Sequence, residues 1–159
     1  MGHRLISGAA PNCRIPHGHD EVVTVDIASD SNEGLDPETN MLVEFEQAKG
    51  RWFEWIDNSI DHTFHIGDKD PLIVYFRENE PEQLPKLLVT PGDPTTELRA
   101  ACYFAKLSAF LADGLICTRV LLQETPTNAV EFNSYSTKRF LPSGEAHWWH
   151  RADASINDL

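Results

Sequence analysis

His17-Gly18-His19 runs almost directly into Val22-Val23-Thr24-Val25-Asp26-Ile27, a β-strand by composition, and no other stretch constrains the chain as much. Side chains at i and i+2 of an extended backbone share a face, so both imidazoles reach one point. Gly18 between them puts no side chain on the opposite face and lets a second backbone come close. His3 lies upstream as a third donor. Three neutral imidazoles on Zn²⁺ leave its fourth position open, as catalytic zinc needs and structural zinc does not. Cys13 is placed poorly for ligation but well for acting on whatever the metal holds. The plainer reading makes the stretch a turn with incidental histidines, and alternation into a strand with a third histidine upstream speaks against it.

These residues resemble the 6-pyruvoyl-tetrahydropterin synthase family, and more closely its bacterial branch, the 6-carboxytetrahydropterin synthases. That family shows His-Arg-Leu, then a cysteine shortly before His-Gly-His, then a hydrophobic strand; here these are His3-Arg4-Leu5, Cys13 and His17-Gly18-His19. Three residues separate Cys13 from His17, the spacing of the bacterial branch. Further motifs follow in the same order. Leu42-Val43-Glu44-Phe45 resembles the lead into the family's first helix, and Ile60-Asp61-His62 its Leu-Asp-His. Pro94-Thr95-Thr96-Glu97 is similar to its Pro-Thr-x-Glu at the second helix, and Gln123-Glu124-Thr125 to its Glu-Thr after a late strand. Two stretches depart from the pattern. Asp20-Glu21 stand where the family has a small polar residue and an aromatic, and His65-Ile66-Gly67 replaces its Leu-Asn.

Composition is consistent with the resemblance. A chain of 159 residues is long enough for one domain with a real core. No run of ~18 apolar residues occurs and no signal-peptide profile opens the chain, which predicts a cytoplasmic protein that does not enter membranes. Cys13, Cys102 and Cys117 form an odd set without scaffold spacing, which predicts free thiols. A net charge of −12 excludes nucleic acid as a partner, because its binding requires basic surface. It also opposes a polyphosphate substrate unless basic residues cluster locally, and only Arg4, Arg14, Lys49 and Arg51 lie near the first motifs. Asp20 and Glu21 would repel such a substrate by about 1 kcal/mol each.

The predicted order is strand, strand, helix, helix, strand, strand. A stunted strand at His3 precedes one over about Glu21 to Ala28, then a polar turn region over Asp30 to Asn40. Met41 to Phe45 reads as extended, followed by a helix from about Glu46 to Asn58. Asp68 to Asp93 reads as a proline-rich connection with apolar pieces at Leu72–Phe76 and Leu87–Val89. Thr95 or Thr96 caps a helix reaching Asp113, with Gly114 as its stop. Leu115 to Gln123 and Asn128 to Phe132 form a hairpin. The class is α+β. The resemblance implies the tunnelling fold: an antiparallel four-stranded sheet with two helices on one face over residues 1–133, and a C-terminal extension over 134–159. It further implies that subunits join their sheets into a barrel, a homo-oligomeric hexamer of two trimers with active sites between subunits.

The resemblance also implies roles. His3, His17 and His19 would hold zinc. Cys13 would be the general base, as a thiolate favoured by the nearby cation, although a free cysteine is more often a small buried hydrophobe. Asp61 would orient His62 as a proton relay, where the alternative is a polar helix end. Glu124 would accept the adjacent N–H and NH₂ donors of a pterin by two parallel hydrogen bonds, where the alternative is a solvated turn carboxylate. Thr95 and Thr96 would line the pterin pocket, Glu97 has no catalytic role, and His65 reads as a loop residue. The implied reaction is lyase chemistry on 7,8-dihydroneopterin triphosphate. Proton removal gives a carbanion-like intermediate stabilised by the ring, which expels triphosphate or loses acetaldehyde. The Cys13–His17 spacing favours 6-carboxytetrahydropterin, a precursor of 7-deazaguanine and queuosine, over 6-pyruvoyl-tetrahydropterin. Two other readings stay open: another tunnelling-fold enzyme acting on a purine or pterin, and a non-catalytic pterin- or metal-binding homologue.

Overall fold

The computed structural model describes residues 1–8, 10–30, 34–135, 141–144 and 146–159. Parts of two expected features, the polar turn at 31–33 and the extension at 136–140 and 145, lie outside them. The strands are β1 (Gly2–His3), β2 (His17–Gly18), β3 (Val22–Ser29), β4 (Phe64–Gly67), β5 (Leu87–Thr90), β6 (Leu115–Thr125) and β7 (Asn128–Asn133). The helices are α1 (Phe45–Trp55), α2 (Leu72–Asn79) and α3 (Thr96–Phe110).

The class is α+β with a four-stranded sheet, but the strands divide differently from the expectation. One sheet has the order β2-β1-β4-β5 and a second the order β3-β6-β7. The second is antiparallel throughout and contains the expected β6–β7 hairpin. The first is mixed: β1 runs antiparallel to β2, while β1–β4 and β4–β5 are parallel. All of β5, Leu87-Leu88-Val89-Thr90, is buried, and so are His65, Ile66 and Gly67 of β4. Strands covered on both faces read as continuous apolar runs and suit parallel pairing. A parallel pair needs a crossover, and residues 68–86 supply it.

That crossover contains α2, in a stretch whose Leu-Ile-Val-Tyr-Phe composition looks like a strand. Asp70 makes it a helix: its Oδ1 accepts from the Leu72 N–H at 2.8 Å, satisfying a donor that the first turn leaves free. Asp70 also accepts from Arg4 Nε at 2.8 Å, which ties the crossover to the end of β1. Helix α1 continues into a wider π turn over Ile56–Ile60, immediately before Asp61. Helix α3 is capped by Thr95, whose Oγ1 accepts from Leu98 N at 3.3 Å. It carries the core, with Ala100 to Phe104 and Leu107 buried against Trp52, Trp55, Val120, Leu122 and Phe132.

The C-terminal residues are part of this core rather than a loose tail. Trp148 is 0% exposed, and its Nε1 donates to Val89 O at 2.6 Å. Val89 N donates to Ile156 O at 3.1 Å, so the last segment covers the open edge of β5. Lys106 of α3 holds the segment from beneath, its Nζ donating to Trp148 O at 2.8 Å and Arg151 O at 3.0 Å. The Trp55, Phe110 and Trp148 rings surround the ammonium. Among the described residues no helix is long and apolar enough to cross a membrane.

Burial pushes Lys106 from 10.5 down to about 8, against the opposing pull of Asp153. Between those values the unfolded chain holds a proton that the folded protein has released, so stability from this site rises with pH. Lys106→Met removes that slope. Urea melts at pH 7.5 and pH 10 are expected to show the wild-type advantage over Lys106→Met growing by up to about 3 kcal/mol. An advantage that shrinks with pH would contradict this account.

Candidate active site

The N-terminal strand pairs with the start of the His-Gly-His stretch. In the β1–β2 register His3 lies opposite His17. Gly18 suits this close approach, because a Cβ would stand 3.0 Å from the Met1 carbonyl oxygen, a tight contact with backbone. His19 follows with its backbone N–H on that same oxygen at 3.0 Å. The ring centroids of His3, His17 and His19 are 4.5 to 5.0 Å apart, and their donor atoms all lie within 4.8 Å of one another.

The outer hydrogen bonds set the tautomers. His3 Nδ1 faces Pro94 O at 3.4 Å and His17 Nδ1 faces Ile15 O at 2.8 Å. A carbonyl only accepts, so each Nδ1 carries the hydrogen and each Nε2 is left with a lone pair. Those two Nε2 atoms confront each other at 3.0 Å. Two lone pairs at that distance repel unless a cation lies between them. Burial pushes His3 down to about 4, and the Arg99 guanidinium acts in the same direction, so the ring stays a neutral ligand. The donor set fits a divalent ion of the zinc type.

A cavity of about 650 Å³ opens beside the triad, a size suited to a small ligand. Cys13, Thr95, Thr96 and Glu124 line it with the three histidines. Cys13 sits in a short 3₁₀ turn, Pro11–Arg14, half-buried and outside the converging donor group. Its position contrasts with those of Cys102 and Cys117, both buried thiols raised by burial. Glu124, at the end of β6, accepts from Arg99 Nη2 at 3.0 Å through Oε1, which lies 3.8 Å from His3 Nε2. Glu97 is exposed on the rim.

Asp61 and His62 are joined as expected but do not line this cavity. His62 Nδ1 lies 2.7 Å from Asp61 Oδ2, and the His62 side chain is 89% exposed. His62 has a φ of 59°, a left-handed conformation that costs a non-glycine residue free energy and here aims the ring outward.

Two expectations are corrected. His65 is a strand residue on β4, not a loop residue; it is fully buried, and its Nε2 is 2.9 Å from Thr63 Oγ1. Desolvation holds its imidazole well below the usual range. Glu21 is not a free repelling charge, because both its oxygens accept from Arg99 Nη1, at 2.6 and 2.7 Å. Arg99 itself went unnoticed in the sequence. The available signal is Arg99 and Lys106 seven residues apart, and so on one face, within a largely apolar helix; both are fully buried. Arg4 and Arg51, two of the basic residues near the first motifs, are bonded to Asp70 and to Ala152 O.

On an α+β scaffold, a three-histidine donor set that could hold a metal ion lies beside a carboxylate-bearing cavity of small-molecule size. The chain belongs to the 6-pyruvoyl tetrahydropterin synthase family, whose family model matches residues 1–134. It is 30% identical over 134 residues to a 6-carboxy-5,6,7,8-tetrahydropterin synthase of Rickettsia felis, covering 82% of this chain and 91% of that protein. A protein of the same name from Rickettsia bellii is 31% identical over 136 residues, with the same coverage. Among solved structures, an uncharacterized protein from Wolinella succinogenes shares the fold. It aligns with a TM-score of 0.62 at 24% identity, covering 84% of this chain and 92% of that one.

Proposed function

We propose that this chain is a zinc-dependent pterin lyase that converts 7,8-dihydroneopterin triphosphate to 6-carboxytetrahydropterin, or to 6-pyruvoyl-tetrahydropterin, and that it works in the cytoplasm on the route to 7-deazaguanine and queuosine. The observation that carries this reading is the convergence of His3, His17, His19, Cys13 and Glu124 on one cavity. The three-residue gap between Cys13 and His17 favours the 6-carboxy product, as do the names of the relatives.

His3, His17 and His19 would hold the zinc, which supplies Lewis acidity to polarise oxygens of the pterin side chain. Glu124 takes the pterin's N–H and NH₂ donors and so fixes the ring against Thr95 and Thr96. Cys13, as thiolate, removes a proton from the side chain held between them. His62, oriented by Asp61, exchanges the second proton. Because that pair faces outward from its own cavity, it serves the site of a neighbouring copy, which makes a homo-oligomer, a hexamer of two trimers in this reading, part of the mechanism. A neighbour would also supply cations for the triphosphate, since no lysine or arginine is among the described residues that line the cavity.

Incubation with 7,8-dihydroneopterin triphosphate and chromatography of the products tests the reading. A cyclohydrolase-type product would favour a different tunnelling-fold enzyme, and zinc with pterin affinity but no turnover a binding protein. Cys13→Ala is expected to keep its zinc and fold while activity falls by ~10²-fold or more. Loss of metal together with activity would make Cys13 a ligand. His62→Ala should be as stable as wild type, given its exposure, and nearly inactive. Mixing the two variants and letting subunits exchange should restore part of the activity. No recovery on exchange would count against a shared site.

A further inference from the structure

We propose that Arg99 is a positioning residue that locks Glu124 and His3 into one frame, so that the carboxylate reading the ligand and the imidazole holding the metal are set by a single buried guanidinium. The inference rests on the pterin reading for the role of Glu124, and on the donor geometry alone for the role of His3.

Arg99 is 0% exposed, and each of its three nitrogens has a different task. Nη1 donates to both oxygens of Glu21 at 2.6 and 2.7 Å. Nη2 donates to Glu124 Oε1 at 3.0 Å. Nε donates to Pro94 O at 3.0 Å, the same carbonyl that faces His3 Nδ1 at 3.4 Å. Charge balance alone requires only one of these partners. A buried guanidinium needs a carboxylate, and Glu21 provides it with both oxygens. The other two contacts go to residues of the site: the cavity's own carboxylate and the carbonyl that fixes the tautomer of a metal ligand.

Geometry explains why arginine is the residue that does this. Its planar fork presents five N–H donors in fixed directions, whereas lysine offers one compact ammonium on a flexible stem. With Oε1 of Glu124 anchored, the carboxylate cannot rotate about its last bond, and Oε2 takes no hydrogen bond among the described residues. Pro94 O, held by Arg99 Nε, keeps the His3 ring turned with Nε2 toward His17. Thr95 and Thr96, between Pro94 and Arg99, are carried by the same turn of α3.

Two variants separate positioning from stability. Arg99→Lys keeps the charge but cannot reach all three partners. Glu21→Met/Arg99→Met replaces the buried ion pair by apolar volume, an exchange that commonly preserves stability. For each, Tm is measured with zinc affinity by chelator competition and biopterin affinity by calorimetry. Both variants are expected to bind biopterin ~10-fold or more weakly and zinc on the order of 10-fold more weakly, including the double variant at wild-type Tm. Wild-type affinities for zinc and biopterin in a double variant that melts as wild type would overturn the proposal. Should wild-type protein bind zinc but no biopterin, the pterin reading fails instead. The zinc measurement alone then decides, and unchanged zinc affinity in both variants overturns the role of Arg99.

Discussion

His17→Ala is expected to lose zinc and activity together while keeping its fold. The variant retains His3 and His19, and two imidazoles without a third do not hold the ion against buffer and chelator. The affinity loss should exceed the ~10–100-fold that removing an outer-shell partner costs, because a direct ligand is gone. His17 is a discriminating position because its Nε2 lies 3.0 Å from His3 Nε2, so its removal takes one atom out of the converging donor set and leaves the orientation of His3 on Pro94 O untouched. The fold should survive: the ring is only partly buried, and the β1–β2 pairing is made by backbone. Elemental analysis after gel filtration, with thermal melting alongside, reads both outcomes. His62→Ala, altered at a histidine outside the cavity, is the control and should bind zinc stoichiometrically. A His17→Ala protein carrying one zinc per chain would remove the triad from the mechanism.

The parts of the site that could be read from the sequence are those set by short-range geometry. His17 and His19 share a face because a strand alternates, and that rule needs no knowledge of the fold. Thr95 as a helix cap and the β6–β7 hairpin follow from equally local rules. The failures are long-range. Leu72–Phe76 has the composition of a strand, yet it forms a helix whose first free N–H, that of Leu72, is taken by Asp70, itself held by Arg4. The parallel pairing of β1, β4 and β5 joins residues distant in sequence, Gly2 with Phe64 and Phe64 with Leu87, which periodicity does not encode. Trp148 belongs to the core because Lys106 and Val89 receive it, and neither neighbour is visible in the string Trp148-Trp149-His150. Glu21 looked like an isolated acid for the same reason. Its partner Arg99 lies on a helix 78 positions away, and a buried ion pair appears only once both ends are placed.

Glu124→Gln is expected to weaken binding of a stable pterin such as sepiapterin or biopterin by roughly a hundredfold. The substitution preserves size and shape, so what changes is one acceptor. Arg99 Nη2 donates to Oε1 at 3.0 Å and selects the amide's orientation, because a guanidinium has no acceptor to offer an NH₂ group. The amide oxygen therefore stays on Arg99, and the NH₂ takes the place of Oε2. There it points a donor where the pterin also presents a donor. An unmatched donor pair in an enclosed site costs ~2–3 kcal/mol, which gives the hundredfold. Zinc should remain stoichiometric: Oε1 stands 3.8 Å from His3 Nε2, outside hydrogen-bond range, and Glu124 is not one of the three converging donors. Arg99 also keeps Glu21 as its principal partner, so the fold has no reason to loosen. Calorimetric titration of wild type and variant, each with its zinc content measured, isolates recognition from metal binding. Equal affinities would make Glu124 a structural partner of Arg99 and nothing more, and the pterin assignment would then rest on the histidine triad and the family match alone.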